Sequence, residues 1–363
     1  MDSTNNGSLQ VSNREIINSK ITFKGKYQSS PFEVEFDLSD SDIRNYSVMR
    51  LRVSSKHLRQ QRKYIWSYNK IYAIEEYLSR SERAKISKLS SSLQGGSLKD
   101  SAWNILKWEE QNIDYNYQKR AKSKHQVQKP GETIKKGDGI CTDYAVLTAG
   151  LLLNMDYQPI YLFDIDYKSG GNGHSTVSIE LKGDYYTIDQ NPPVKNLGSF
   201  YQYWSQQREK TTQRPNKIIK KATVYGISVE RGNTEASEVE ELEAKDFRTN
   251  EHRVSESDLN RIRKTLANTL VKDFSLEHDM KLVNLDMKNQ LPRKYRRGKY
   301  YSNLFYNWGG SYAPIFHNNY CDYIYESLFD GRDLNTILEK YKKFSFDVNK
   351  ETDDLKVKLN LVR

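Results

Sequence analysis

The stretch CTDYAVLTAGLLLNM, residues 141–155, constrains the fold more than any other part of the chain. Its apolar run is too long and continuous for a half-exposed strand, and its Ala and Leu content favours a buried helix. It falls far short of the ~18–20 residues a membrane span needs. GDGI (137–140) precedes it, so Cys141 stands where a glycine loop becomes a helix. Unpaired backbone N–H groups and the macrodipole at a helix start favour negative charge and lower a thiol's pKa. Taken alone, the stretch serves two readings of Cys141 equally, a small residue sealing the helix start and a nucleophile. Gly137 and Gly139 are candidates for a lip along which substrate backbone passes closely.

A nucleophilic thiolate needs a base, and the chain has only six histidines. His174 heads HSTVSIEL, a segment with strand alternation. Val177, Ile179 and Leu181 share one face, and His174, Thr176 and Ser178 the other. His174 is therefore expected on a polar face whose opposite face is core. A two-residue turn at Lys182–Gly183 would oppose Leu181 to Asp184 and Thr176 to Asp189. Asp189 then becomes the diagonal neighbour of His174, within reach of a hydrogen bond. A one-residue slip would put it on the other face. Nucleophile, base and orienting carboxylate make up the generic acyl-transfer arrangement.

Three segments in order, GDGICTDYAVLTAGLLLNMDYQPIYL, GHSTVSIEL and YYTIDQNPP, resemble the core of the transglutaminase-like superfamily of cysteine enzymes. The upstream WNILKWEEQNIDYNY resembles that family's helix leading to an aromatic segment, so the likeness spans roughly residues 98–195. It implies an α+β, papain-like core, with the Cys helix packed against an antiparallel sheet carrying His and Asp. It also implies Cys141 as nucleophile, His174 as base and then acid, and Asp189 as orienter. The backbone N–H of Cys141 is the natural first oxyanion donor. Trp103, Trp108, Tyr115, Tyr117 and Gln118 are the candidates for a second. The calcium-loop pattern and the zinc-binding CxxC pairs of some branches are absent, so no metal or cofactor is expected. The style is that of the short microbial and archaeal members.

The domain reading places a disordered polar tail at 1–20 and a β-hairpin with helices at 21–97. A catalytic core at 98–228 follows, then an acidic linker at 229–253 (EASEVEELEAKD) and a mostly helical region at 254–363. Residues 130–141 read as loop, and Cys321 as a buried core thiol. Mean hydropathy of −0.84 requires much polar surface around the core, while 26 tyrosines and five tryptophans argue against wholesale disorder. Two cysteines cannot form a disulfide framework. The N-terminal residues contain no apolar signal region, so the expectation is a soluble cytoplasmic protein. Net charge is +10, and the densest basic patch, RKYRRGKYY, offers Arg293, Lys294, Arg296, Arg297 and Lys299 as candidates for polyanion contact.

The expected activity is hydrolysis of a peptide, isopeptide or glutamine amide in a peptide or protein substrate, through a thioester. The alternatives are transfer of the same acyl group to an amine, as in a crosslinking transglutaminase, and a binding or scaffold module that keeps the fold without chemistry.

Overall fold

The computed structural model describes residues 9–17, 20–27, 30–37, 66, 69–122, 126–170, 173–206, 217–248, 252–283, 291, 293–329 and 334–363. The chain divides into two units, residues 1–63 and 64–363.

In the first unit, β1 (Leu9–Ile17), β2 (Lys20–Tyr27) and β3 (Ser30–Asp37) form an antiparallel sheet in the order β1-β2-β3. The expected hairpin is β2–β3, with Tyr27 opposite Ser30. Residues 9–17, expected within a disordered tail, form a strand instead. Pairing with β2 satisfies their backbone groups whatever the polarity of the side chains. Residues 1–8 lie outside the described residues.

The second unit is built around the apolar helix. Helices α1 (Lys70–Tyr77), α2 (Leu98–Asn112) and α3 (Pro130–Lys136) precede α4 (Cys141–Asn154). Ser97 caps α2, its hydroxyl accepting the N–H of Asp100 at 3.2 Å. The reading of 130–141 as loop misses α3. Pro130 starts that helix, and Gly137 ends it in the left-handed conformation at φ 65°. The residues that suggested a loop are the helix's own punctuation.

Every residue of α4 from Cys141 to Leu153 is buried. At about 1.5–3 kcal/mol for each large apolar side chain removed from water, this helix anchors the core. It lies against a six-stranded sheet formed by β4 (Ile160–Tyr167), β5 (His174–Leu181), β6 (Asp184–Ile188), β7 (Lys195–Asn196), β8 (Ile219–Glu230) and β9 (Asn233–Glu243). The order is β9-β8-β4-β5-β6-β7, antiparallel throughout. Ile160, Leu162, Val177 and Ile179 belong to the same core as α4. Phe163 and Ile165, at alternate positions of β4, belong to a second core with Phe200 of α5 (Leu197–Gln206) and with Phe247. The face of β5 expected to be polar is therefore covered: Thr176 and Ser178 are buried beside it.

The acidic run is not a linker. Residues 233–243 are strand β9 at the edge of the sheet, paired with β8 from Glu230↔Asn233 to Lys221↔Glu243. Most of its side chains are exposed, which suits a charged edge that discourages further strand pairing. Nor is the C-terminal region mostly helical. Helices α6 (Glu256–Phe274) and α7 (His317–Phe329) accompany a second sheet of β10 (Glu277–His278), β11 (Gly298–Phe305), β12 (Lys343–Glu351) and β13 (Asp354–Val362), in the order β10-β12-β13-β11. β13 alternates buried Leu355, Val357 and Leu359 with half-exposed Lys356 and Lys358, a period of two that no helix can bury on one face. Among the described residues, no helix is long and apolar enough to cross a membrane.

Candidate active site

The hairpin of β5 and β6 carries two of the three expected residues. Lys182 and Gly183 form its turn, both at positive φ, and Leu181 stands opposite Asp184. The pairing runs on to Val177↔Ile188, and the hydroxyl of Thr176 donates to the carbonyl of Ile188 at 3.1 Å. Asp189 follows immediately. Its Oδ1 lies 2.8 Å from Nε2 of His174, and both side chains are buried.

Cys141 is the first residue of α4, and its thiol meets the imidazole of His174 and the backbone N–H of Ser175. With Nε2 held by Asp189, Nδ1 is the ring nitrogen left to face the sulfur. Burial pushes the Cys141 thiol up, but the hydrogen bond and charge of His174, the Ser175 N–H and the charge of Arg120 outweigh it; the net direction is down. Burial alone would lower His174, yet the charge and hydrogen bond of Asp189, followed by those of Cys141, carry it up. The two shifts describe one preference, a thiolate beside an imidazolium.

Residues 113–120 are stitched alongside this centre. Asp114 and Asn116 donate their backbone N–H to the carbonyls of Gly137 and Gly139, each at 2.8 Å, so Tyr115 pairs with Gly139 in a parallel bridge. Tyr144 of α4 donates its hydroxyl to the carbonyl of Ile113 at 2.5 Å. Lys119 reaches Asp143 at 2.5 Å. Asp143 is fully buried and also accepts the backbone N–H groups of Ile140 (2.8 Å) and Gln128 (2.6 Å). It thereby caps its own helix and joins three segments around the Cys141 turn.

This arrangement sorts the remaining candidates. Tyr115 is brought to the site: its hydroxyl meets the backbone N–H of Cys141, and burial, with the nearby charge of Cys141, pushes its ionisation up and keeps it a protonated donor. Tyr117 packs its ring 4.9 Å from that of Tyr115 but is 76% exposed. Gln118 is exposed, and Trp108 packs half-buried on the core. Trp103 lies in the core among Trp308, Phe316 and Tyr323. The glycines do not form an open lip. Gly139 is buried, and a Cβ there would come within 3.0 Å of the Asp143 Cβ; Gly137 is the αL cap of α3. Both carbonyls are occupied by the 114–116 segment.

Several neighbours carry no sequence signal of function. Trp204 of α5 lies against His174 with ring centroids 4.6 Å apart, and Phe200 stands one turn earlier at 6.2 Å. Their i, i+4 spacing was the available clue, and it reads equally as ordinary packing. Lys195 is buried beside the same turn. Its ammonium donates to the carbonyl of Pro193 at 3.0 Å and is pushed down to about 8 by burial, against the charge of Asp189. Among the described residues, no group of three or more His, Cys, Asp or Glu converges as a metal site. Arg293, Lys294, Arg296, Arg297 and Lys299 are exposed at the start of β11, where the Arg296 N–H donates to the carbonyl of Arg363 at 2.8 Å. They belong to the C-terminal sheet and not to the Cys141 cluster. Cys321 is a buried thiol on α7, pushed up to about 12 by burial.

Residues 84–225 match the family model described as a transglutaminase-like domain. The chain is 29% identical over 275 residues to a UPF0252 protein of Pyrococcus horikoshii, covering 76% of this chain and 83% of that one. It is 25% identical over 315 residues to a UPF0252 protein of Archaeoglobus fulgidus, covering 82% and 90%. Among solved structures, LapG of Legionella pneumophila matches at a TM-score of 0.23 and 18% identity, over 39% of this chain and 82% of LapG. A structure described as a TGase matches at a TM-score of 0.24 and 12% identity, over 50% of this chain and 44% of that one.

Proposed function

We propose, from the match of residues 84–225 to the transglutaminase-like domain model, that the protein is a cysteine-dependent hydrolase, acting on a peptide, isopeptide or glutamine amide through a thioester. The observation that carries the proposal is the 2.8 Å contact of His174 Nε2 with Asp189 Oδ1, made while the same ring engages Cys141.

In this reading the Cys141 thiolate attacks the amide carbonyl carbon, and the carbonyl oxygen becomes an oxyanion. The Cys141 N–H and the Tyr115 hydroxyl, which otherwise satisfy one another, both turn to that oxygen. The His174 imidazolium gives its proton to the leaving nitrogen, the C–N bond breaks, and a thioester remains on Cys141. His174, now neutral, takes a proton from water as the water attacks the thioester. The acid leaves, and the thiolate–imidazolium pair is restored. Asp189 holds the ring and stabilises its charge throughout, without becoming protonated.

A second reading ends with an amine in place of water, giving acyl transfer. What favours it is enclosure: Cys141 is only 4% exposed, and Tyr115, Tyr167 and Trp204 lie around the Cys141–His174 pair. An aromatic enclosure that excludes bulk water lets a bound amine compete.

The test is acylation by p-nitrophenyl acetate followed by intact-mass spectrometry. The reading expects one acetyl group on Cys141, cleared in water and cleared faster when an added primary amine is the better acceptor. No acetyl adduct on Cys141 contradicts it.

A further inference from the structure

Three tyrosine rings form a row from the core out to solvent beside the Cys141 turn. Tyr144 of α4 is buried, Tyr115 is half-buried, and Tyr117 is 76% exposed. Tyr115 stands in the middle, its ring centroid 6.5 Å from that of Tyr144 and 4.9 Å from that of Tyr117. The Tyr115 hydroxyl meets the backbone N–H of Cys141, and its backbone pairs with Gly139, two residues before the cysteine. A single ring contact therefore separates Tyr117 from the hydroxyl that the thioester reading turns to the oxyanion.

A lone exposed tyrosine needs no functional explanation by itself. What sets Tyr117 apart is how firmly the backbone on either side of it is held. Before it, Asn116 donates its N–H to the carbonyl of Gly139 at 2.8 Å and its Nδ2 to Asp138 at 2.9 Å. The Oδ1 of Asn116 accepts the Lys119 N–H at 2.7 Å and so caps the short helix Tyr117–Arg120. After it, Lys119 reaches the buried Asp143, and Arg120 Nη2 donates at 2.9 Å to the carbonyl of Gly173, the residue before His174. The segment is thus tied both to the Cys141 turn and to the His174 strand. A large ring fixed in place yet open to water is a preorganised contact surface, because its backbone is already ordered and its apolar face is still hydrated.

We propose that Tyr117 is a specificity-determining residue whose ring forms one wall of a substrate subsite, so that the preferred substrate is a peptide carrying an aromatic group beside the scissile amide. The proposal rests on the thioester reading and names its substrate class. With the amide carbonyl at the Cys141 N–H and the Tyr115 hydroxyl, a flanking aromatic group packs on Tyr117 in an offset or edge-to-face arrangement. The ring makes the contact, so the Tyr117 hydroxyl is dispensable.

The probes are 2-iodo-N-benzylacetamide and iodoacetamide, two neutral reagents that alkylate the same thiolate and differ by one aromatic group. Their rate ratio at Cys141, taken at one pH, cancels any change in thiolate fraction. The ratio is expected to fall roughly 3- to 10-fold in Tyr117→Ser, the size of one aromatic contact. It should hold in Tyr117→Phe and Tyr117→Trp, which keep a ring at that position. Continued iodoacetamide labelling in each variant reports that the site is folded. A ratio unchanged or raised in Tyr117→Ser, with Cys141 still rapidly labelled, overturns the proposal and leaves the thioester reading standing. Equal losses in Tyr117→Ser and Tyr117→Phe overturn it too, since they assign the effect to the hydroxyl. Slow labelling by both reagents in the unsubstituted protein removes this proposal and the thioester reading together.

Discussion

Tyr115 stands opposite Gly139 in a two-residue parallel bridge, and that pairing sets its phenol hydroxyl against the backbone N–H of Cys141. In the proposed reaction the oxyanion donor and the nucleophile would thus be positioned by one loop, the glycine segment that leads into α4.

Tyr115→Phe removes the hydroxyl and keeps the ring packing. Acylation of Cys141 by p-nitrophenyl acetate should fall about 10²–10³-fold, the loss seen when one oxyanion donor is deleted. Alkylation by iodoacetamide passes through no oxyanion and should change far less. Equal losses in both reactions would mean that Tyr115 acts on the thiol itself.

Asp189→Asn keeps the shape of the His174 contact and removes its charge. The main influence holding His174 up is then lost, and the thiolate–imidazolium pair weakens. Acylation at neutral pH should fall on the order of 10²–10⁴-fold. Titration of the imidazole by NMR should show its pKa reduced. An unchanged imidazole pKa would contradict the role given to Asp189.

Glu109 is a buried carboxyl on α2 whose Oε1 accepts the Thr148 hydroxyl at 2.6 Å, while Oε2 has no hydrogen-bond partner among the described residues. Burial pushes it up to about 8 from 4.5, with Thr148 opposing and Asp189 adding to the rise. The folded value lies above the unfolded one, so its stabilising contribution is whole below pH 4.5 and is lost as pH rises through 8. Thermal denaturation should show the melting temperature dropping from about pH 4.5 to about pH 8 and levelling off above that. Glu109→Gln should flatten that slope, since Gln keeps the acceptor for Thr148 and carries no charge. Parallel slopes in the two proteins would count against it.

The meeting of Cys141, His174 and Asp189 was legible because each position rests on a strong local rule. The apolar run 141–155 favours a buried helix, which puts Cys141 at its start. The Lys182–Gly183 turn sets the hairpin register, which delivers Asp189 to His174. What surrounds the triad was less legible. Trp204 and Phe200 reach the site through tertiary packing, and each looks like an ordinary residue in its own segment. Strand β9 was hidden because an exposed edge has little apolar alternation, so its glutamates read as a solvated linker. Strand β11 was hidden by tyrosines that fit helix and strand patterns alike. Helix α3 was lost because Pro130 and Gly137 mark both loops and helix ends.

The most direct measurement of the central claim is the iodoacetamide labelling rate of each cysteine against pH, followed by peptide mass spectrometry. The account predicts that Cys141, lowered by His174, reacts on a plateau extending well below the ~8.5 of a free thiol. His174→Ala should shift that profile up, and Cys321 should stay inert in the folded protein. Equal, slow labelling of Cys141 and Cys321, rising only near pH 8.5 and indifferent to His174→Ala, would contradict it.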